Sequence, residues 1–269
     1  MDVRLDGETR IFPIIGDPIG QVKSPALLTA IMVERGVNAM VIPVHIASAD
    51  VPVYMDALKR TQNVDGLVIT VPHKFAALGH VDLPTERATF AGSCNVMRRL
   101  ADGRWFGDNT DGKGYMDGVA KEGFDVAGKR VLLVGCGGAG SAIAYEILAR
   151  DAAYLAIHDA DVDRRDRAVA RLAERFPGKI GAGSDDPTGF DFIANATPMG
   201  MRPDDPYPVE IEKLNAAQFV ACVITRPDPS PLVAYARSIG CGTMAGIGMF
   251  NAQADILVDV LLGTQDAPS

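Results

Sequence analysis

The chain has 269 residues, 48% of them hydrophobic and 22% charged, which is ordinary usage for a folded protein and excludes a disordered chain or a coiled coil. This length suits one large domain or two small ones. With a formal net charge of −8 the chain has no overall field that attracts phosphate backbones, so we expect no nucleic-acid partner.

Apolar runs, the first residues and the cysteines indicate whether to expect a membrane segment, a secretory signal or a metal site. The longest apolar runs, such as VLLV at residues 131–134, fall far below the roughly 20 residues that span a bilayer, so we expect no membrane segment. The first residues are acidic and resemble no secretory signal, which predicts a cytoplasmic location. Neither the scattered cysteines nor the histidines have metal-ligand spacing, so we expect no metal.

The first third of the chain predicts an α/β unit, because short apolar runs alternate with glycine and proline. The predicted strands are residues 11–16, 39–46 and 66–71, and the predicted helices are residues 24–35 and 50–61. Ser24 is expected to be the N-cap of the first helix, with Pro25 as its first helical residue, and Pro72 is expected to end the third strand.

A hairpin around Asp102 and Gly103 is predicted next, followed by a polar loop at residues 108–112. We place the junction between two domains near this loop. The first domain then covers residues 1–107, completed by a C-terminal helix at 247–269, and the second covers residues 108–246.

From residue 129 onward the pattern is that of a parallel sheet covered by helices on both faces. The predicted strands are residues 129–135, 154–159, 190–197 and 219–224, and the predicted helices are residues 141–150 and 163–176. Apolar residues at helical spacing from Met249 to Leu262 predict a last helix that docks onto the first domain.

Residues 135–140 read GCGGAG and fit G-x-G-x-x-G between a predicted strand and a predicted helix. The first glycine permits the turn, the second lets the backbone approach a pyrophosphate, and the third lets the helix pack on the strand. Asp159 ends the next strand, close to the roughly 20-residue spacing of an acid that accepts from the adenosine ribose. A carboxylate there would repel the 2′-phosphate of NADP, which favours NAD. The arginines within residues 164–167 could instead bind such a phosphate, so NADP stays open.

Two further residues are candidates for proton transfer. Lys74 follows a predicted strand, and Asp111 lies in the polar loop at the junction. A lysine can take a hydroxyl proton during oxidation or donate to a carbonyl oxygen during reduction, and a nearby carboxylate would orient it. Taken separately, a lysine after a strand is more often a solvated surface residue, and residues 108–112 fit an ordinary turn equally well.

The order of several motifs resembles the shikimate dehydrogenase family over residues 12–253. The motifs are KSP at 23–25, TVPHK at 70–74, AGSCN at 91–95, GDNTDG at 107–112, the glycine turn, NATPMGM at 195–201, and GIGM at 246–249 with Gln253.

The resemblance implies an N-terminal α/β substrate-binding domain, a Rossmann-type doubly wound NAD(P)-binding domain, and reversible NAD(P)-dependent oxidation of a ring hydroxyl in a shikimate- or quinate-like compound. Lys74 and Asp111 match the family's catalytic pair. The substrate positions matched are Ser24, Thr70, Asn95, Asp111 and Gln253. The cofactor positions are Gly135, Gly137, Gly138, Ala139, Gly140, Asp159, Asn195, Ala196, Thr197 and Met249.

The chain departs from this resemblance inside the expected substrate pocket. Val22 stands where the family usually has a serine, Val68 where asparagine is usual, and Cys222 and Thr225 where an aspartate and a tyrosine are frequent. Because the serines and the tyrosine would contact the substrate carboxylate, we expect weak activity on shikimate and a substrate whose tail is less anionic or differently placed. The alternative is that the valines only repack the core.

Two other functions stay open. A catalytically silent NAD-binding ligand sensor could keep the same fold, and an enzyme of one-carbon folate metabolism could use a lysine in a related cleft. Retention of Lys74 and Asp111 argues against the first, and the residues at 108–112 with Gln253 argue against the second. The expected partner is a small cyclic hydroxy acid, and the expected assembly is a monomer or a homodimer.

Overall fold

The computed structural model describes residues 4–264, which form two compact units. The first unit runs to Thr110 and resumes at Ala254, and the second is Asp111–Gln253. Residues 265–269 of the predicted terminal helix lie outside the described residues. Within the described part of the chain, no helix has the length and hydropathy to cross a bilayer.

The first unit is built on a mixed six-stranded sheet with the order β2-β1-β3-β5-β6-β4. Its strands are β1 (Arg10–Gly16), β2 (Ala39–His45), β3 (Gly66–Ile69), β4 (Leu83–Pro84), β5 (Val96–Arg99) and β6 (Trp105–Asp108). Its helices are α1 (Ser24–Glu34), α2 (Val51–Arg60), α3 (Lys74–Leu78) and α4 (Glu86–Ala91). Because β1 pairs in parallel with both β2 and β3, the carboxyl ends of these three strands share one edge.

The sheet of the first unit has an apolar layer on each face. Phe12, Ile14 and Val68 contribute to one layer, together with Leu257 and Leu261 from the end of the chain. The other layer contains Leu67 and Ile69, so β3 alternates its side chains between the two. The last turns of the terminal helix therefore complete the core of the first unit.

The second unit has a six-stranded sheet in which every pair is parallel, with the order β12-β11-β10-β7-β8-β9. Its strands are β7 (Arg130–Val134), β8 (Tyr154–His158), β9 (Ile180–Ala182), β10 (Phe192–Asn195), β11 (Phe219–Cys222) and β12 (Gly242–Met244). Its helices are α5 (Asp111–Lys121), α6 (Gly138–Ala149), α7 (Val162–Arg175), α8 (Pro231–Ser238) and the first part of α9 (Gly246–Leu262), whose residues from Ala254 onward belong to the first unit. This is the strand order of the doubly wound dinucleotide-binding fold, which confirms the predicted fold class.

Three local predictions were wrong. Ser24 is the first residue of α1, and Lys23 occupies the N-cap position without a side-chain hydrogen bond, because the helix accommodates Pro25 in its first turn and starts one residue earlier. Asp111 begins α5 rather than lying in a loop, since an acid is also favourable in the first turn of a helix. The strand predicted to Val71 ends at Ile69.

Candidate active site

The glycine turn joins β7 to α6 with geometry that only glycine permits at two positions. Gly135 has a φ of +92°, and a Cβ at Gly140 would lie 2.1 Å from the Gly135 carbonyl oxygen. Gly137 is the N-cap of α6, and a Cβ there would meet no atom of the described residues within 4 Å. The turn therefore leaves open space before a helix N-terminus, which favours an anion. These residues fit the pyrophosphate of a dinucleotide.

Asn195 lies at the end of the strand next to β7, at the point in the sheet where the strand order reverses. It is the last residue of β10 and pairs with Val134 of β7. Its Oδ1 accepts hydrogen bonds from the backbone nitrogen of Thr197 at 3.0 Å and from Thr197 Oγ1 at 2.7 Å. Ligands of such sheets bind outside the carboxyl ends of the strands at this point. Residues 195–197 thus lie where the fold favours a cofactor.

Asp159 follows β8 and carries a buried, ionised carboxylate. It accepts hydrogen bonds from the backbone nitrogen atoms of Cys136 at 2.7 Å and Asp161 at 2.9 Å, and from Arg164 Nη2 at 2.5 Å. Burial raises the pKa of Asp159, but the hydrogen bonds, with Arg164 first, outweigh it and lower the pKa to about 2. Arg164 is thus already paired with this carboxylate.

Cys136 fills the space beneath the glycine turn. Its side chain is buried and its Sγ donates to Asp159 Oδ2 at 3.3 Å. Burial and the adjacent Asp159 charge raise the pKa of the Cys136 thiol to about 12. The thiol is therefore protonated and has a packing role.

Asp111 is held at the start of α5 by Gln253 of α9. The Gln253 Nε2 donates to Asp111 Oδ1 at 2.8 Å, and the Asp111 residue is only 3% exposed. Gly114 permits this approach, because a Cβ at that position would lie 2.6 Å from the Gln253 Cβ. Thr225, after β11, and the buried Met249, on α9, belong to the same unit.

The first unit holds the remaining candidate substrate residues. Thr70 directly follows β3, at the edge shared by the carboxyl ends of β1 to β3, and Ser24 begins α1. Lys74 is the first residue of α3 and is 8% exposed. Asn95 lies just before β5, where its Oδ1 accepts from the Thr110 nitrogen at 2.9 Å and its Nδ2 donates to Thr110 Oγ1 at 3.1 Å.

Comparison with known proteins identifies the family of this chain. The family described as "Shikimate dehydrogenase substrate binding domain" matches residues 14–97. The shikimate dehydrogenase (NADP(+)) of Geobacter metallireducens is 32% identical over 280 aligned positions, covering 98% of this chain and 95% of that protein. This chain belongs to the shikimate dehydrogenase family.

Two solved structures extend the comparison. The ligand-free 5-ketofructose reductase of Gluconobacter sp. is 30% identical with a TM-score of 0.84, covering 95% of this chain and 93% of that one. Quinate dehydrogenase from Corynebacterium glutamicum in complex with NAD is 25% identical with a TM-score of 0.86, covering 95% and 94%. As a member of the shikimate dehydrogenase family, the chain is an NAD(P)-dependent oxidoreductase that acts on the CH–OH group of a small molecule.

Two of the positions at which this chain departs from the usual family pattern, Val22 and Val68, are apolar in the structure. Val68 is 5% exposed and belongs to the apolar layer that contains Phe12, and Val22 packs against the same layer. Neither side chain offers a hydrogen-bond donor. Val68 thus has the core-packing role that the alternative interpretation gave to both valines, whereas Val22 is only half-buried.

Sequence reasoning missed a buried polar cluster in the first unit. Asp108, Asn109 and Ser93 are each at most 1% exposed and are joined through hydrogen bonds. The motif at 107–112 drew attention to this segment, but the partner Arg87 lies 21 residues away from Asp108 in the sequence. Among residues 4–264, no group of three or more His, Cys, Asp or Glu side chains is arranged to hold a metal.

Proposed function

We propose that this shikimate dehydrogenase family member uses NAD to interconvert a ring hydroxyl and a ketone of a shikimate- or quinate-like compound. The tail of this substrate is less anionic than that of shikimate, or is differently placed in the pocket, so the activity on shikimate itself is weak. The observation that carries this proposal is the half-buried, apolar Val22 two residues before Ser24, with Thr225 after β11.

Lys74 and Asp111 carry the proton chemistry in this proposal. During oxidation the neutral Lys74 amine accepts the proton of the substrate hydroxyl, and during reduction the ammonium returns it to the forming alkoxide. Asp111, oriented by Gln253, stabilises the ammonium by its negative charge. When bound, the nicotinamide ring supplies the hydride acceptor or donor.

The hydroxyl and amide side chains of the expected pocket suit the hydroxyl groups of a polyol, which also donate and accept. Ser24, Thr70 and Asn95 bring hydroxyl and amide groups that can each donate and accept. Burying a carboxylate against Val22 without replacement donors costs about 1–3 kcal/mol per missing hydrogen bond, and more for a charged group. The similarity to a 5-ketofructose reductase supports the idea that this fold accommodates polyols without a carboxylate.

NAD is the proposed cofactor because a carboxylate, that of Asp159, follows β8 at the position that the family resemblance assigns to the adenosine ribose. Asp159 is ionised and Asp161 follows it, so a 2′-phosphate would meet like charge. The similarity to a quinate dehydrogenase in complex with NAD supports this choice, whereas the relative from Geobacter metallireducens is named for NADP(+). The proposal includes a cytoplasmic location, supported by four cysteines that are all free and buried.

A substrate panel tests the proposal. Shikimate, quinate, their amino- and deoxy-analogues, and neutral keto-polyols are each assayed with NAD and NADP by the absorbance of the reduced nicotinamide. We expect the highest kcat/KM for a less anionic compound with NAD. Shikimate as the best substrate would contradict the proposed specificity, and no turnover of any compound by a chain that binds NAD would favour the silent sensor.

Val22→Ser separates pocket chemistry from core packing. If Val22 faces the substrate, the serine hydroxyl restores one hydrogen bond to a charged group, and the KM for shikimate should fall by about tenfold or more. The control is Val53→Ser, which changes an exposed valine of the same unit and should leave this KM unchanged. A Val22→Ser enzyme with the wild-type KM would support the core-packing interpretation.

A further inference from the structure

Asp108 is a buried carboxylate that the proposed chemistry does not use. It is the last residue of β6 and is 1% exposed. Its Oδ1 accepts hydrogen bonds from Thr85 Oγ1 at 2.6 Å, from Arg87 Nε at 2.7 Å and from the Asn109 nitrogen at 2.7 Å. A second nitrogen of the Arg87 guanidinium donates to Oδ2. This bidentate pairing fixes both the position and the plane of the carboxylate.

The two residues that follow Asp108 are bound to the segment before β5. Asn109 Nδ2 donates to Ser93 Oγ at 2.8 Å. The Thr110 nitrogen donates to Asn95 Oδ1 at 2.9 Å, and Asn95 Nδ2 returns a hydrogen bond to Thr110 Oγ1 at 3.1 Å. The Asn95 amide, a candidate substrate group, is therefore oriented by Thr110, which the Asp108 anchor holds in place.

The same segment also holds the start of α3. The Cys94 nitrogen donates to the Lys74 carbonyl oxygen at 2.8 Å. The next residue, Asn95, uses both of its backbone groups. Its nitrogen donates to the Asp108 carbonyl oxygen at 3.0 Å, and its carbonyl oxygen accepts from the Ile69 nitrogen at 2.7 Å. A continuous set of hydrogen bonds thus leads from the Asp108 segment to the backbone of Lys74.

We propose that Asp108 is a positioning residue for the reaction, acting with Arg87 and Thr85. It sets the orientation of the Asn95 amide and the placement of the Lys74 backbone without touching substrate or cofactor. The negative charge is required because both oxygens of Asp108 accept hydrogen bonds. An asparagine at this position would turn its N–H group toward one of these donors and would leave the Arg87 guanidinium without a carboxylate. This inference rests on the roles proposed for Asn95 and Lys74.

The test is Asp108→Asn, with kcat and KM measured on the best substrate of the panel. A displacement of about 1 Å can lower a rate by about 100-fold, so kcat/KM should fall by that order. The loss should appear in both KM, through Asn95, and kcat, through Lys74. The affinity for NAD, which the second unit binds, should stay within about twofold if only positioning in the first unit is affected.

Two controls separate positioning from general destabilisation. Asp65→Asn removes another carboxylate of the first unit, the half-exposed partner of Arg10, and should leave kcat/KM unchanged. Thr85→Val removes one donor to Asp108 together with the N-cap of α4, and Thr85→Ser keeps both. If Asp108→Asn does not fold by circular dichroism, Thr85→Val should still lower kcat/KM by about tenfold, and Thr85→Ser should restore it.

Lys74→Ala and Asn95→Ala, assayed in parallel, show which conclusion fails. If both abolish turnover while folded Asp108→Asn keeps the wild-type kcat/KM, the positioning role is wrong and the proposed function stands. If neither affects turnover, the proposed function is wrong and the positioning role falls with it. Equal kcat/KM for Thr85→Val and Thr85→Ser would also overturn the positioning role.

Discussion

Gln253 of α9 donates a hydrogen bond from its side-chain amide to Asp111 Oδ1 at 2.8 Å, although 142 residues separate the two in the sequence. The contact helps to orient a carboxylate at the start of a helix. Asp111 and Gln253 thus form a small preorganised pair within the second unit.

Gln253→Ala should therefore reduce turnover. A hydrogen bond to a charged group contributes about 1.5–3 kcal/mol, so kcat/KM should fall by roughly 10- to 100-fold. The measurement is steady-state kinetics on the best substrate. Asn251→Ala, at an exposed position of the same helix, is the matched control and should behave as wild type. Wild-type kinetics for Gln253→Ala would show that this hydrogen bond has no part in the reaction.

Asp159→Asn should weaken the preference for NAD. The change removes the negative charge of Asp159 at the proposed ribose position. It keeps an oxygen that can accept from Cys136, and it leaves Arg164 without its carboxylate. We expect the ratio of NAD to NADP affinity to fall by about tenfold or more, measured by titration calorimetry. Asp163→Asn, an exposed acid in the first turn of α7, should keep the wild-type ratio.

The low pKa of Asp159 also predicts a behaviour in acid. Its pKa is about 2 in the folded protein against 3.8 as the ordinary value, so the ionised carboxylate stabilises the fold fully above pH 3.8. That stabilisation is lost as the pH falls toward about 2. The difference in thermal midpoint between wild type and Asp159→Asn should therefore be constant from neutral pH to just above 3.8 and shrink below it. A difference that grows in acid would contradict the assignment.

Cys136 should resist alkylation in the folded protein. Burial and the Asp159 charge raise the pKa of its thiol to about 12, so almost no thiolate forms near neutral pH. Iodoacetamide followed by peptide mass spectrometry should find Cys136 unmodified in native protein and modified after denaturation. Rapid native labelling at Cys136 would mean that the glycine turn is more open than its geometry indicates.

Tyr115→Phe should leave the fold as stable or make it more stable. The Tyr115 hydroxyl is buried and has no hydrogen-bond partner among residues 4–264, so its burial costs desolvation that no such bond offsets. Urea unfolding should show no loss of stability, whereas Tyr115→Ala, which removes a ring stacked near Phe192, should lose about 3–5 kcal/mol. A loss above about 1 kcal/mol for Tyr115→Phe would indicate that the hydroxyl has a partner such as an internal water.

The sequence was most informative where local pattern and chemistry coincide. The strand, the glycine turn and the helix around Gly135 predicted the dinucleotide fold, and the backbone requires glycine at two of the positions in that turn, Gly135 and Gly140. Asp111 was placed in a loop because turn residues and helix-starting residues are the same types. The Arg87–Asp108 pair could not be predicted, since parallel pairing of β4 with β6 places the start of α4 beside the end of β6 and so brings those side chains together. Burial of Val68 likewise depends on tertiary packing.

Gly114 has a consequence for engineering the substrate range of this enzyme. It lies one turn after Asp111, where the Gln253 backbone and side chain approach so closely that even a methyl group would displace them. A mutagenesis library aimed at new alcohols should hold this position constant, because a larger residue there would displace Gln253 and with it the Asp111 carboxylate that we propose takes part in every such reaction.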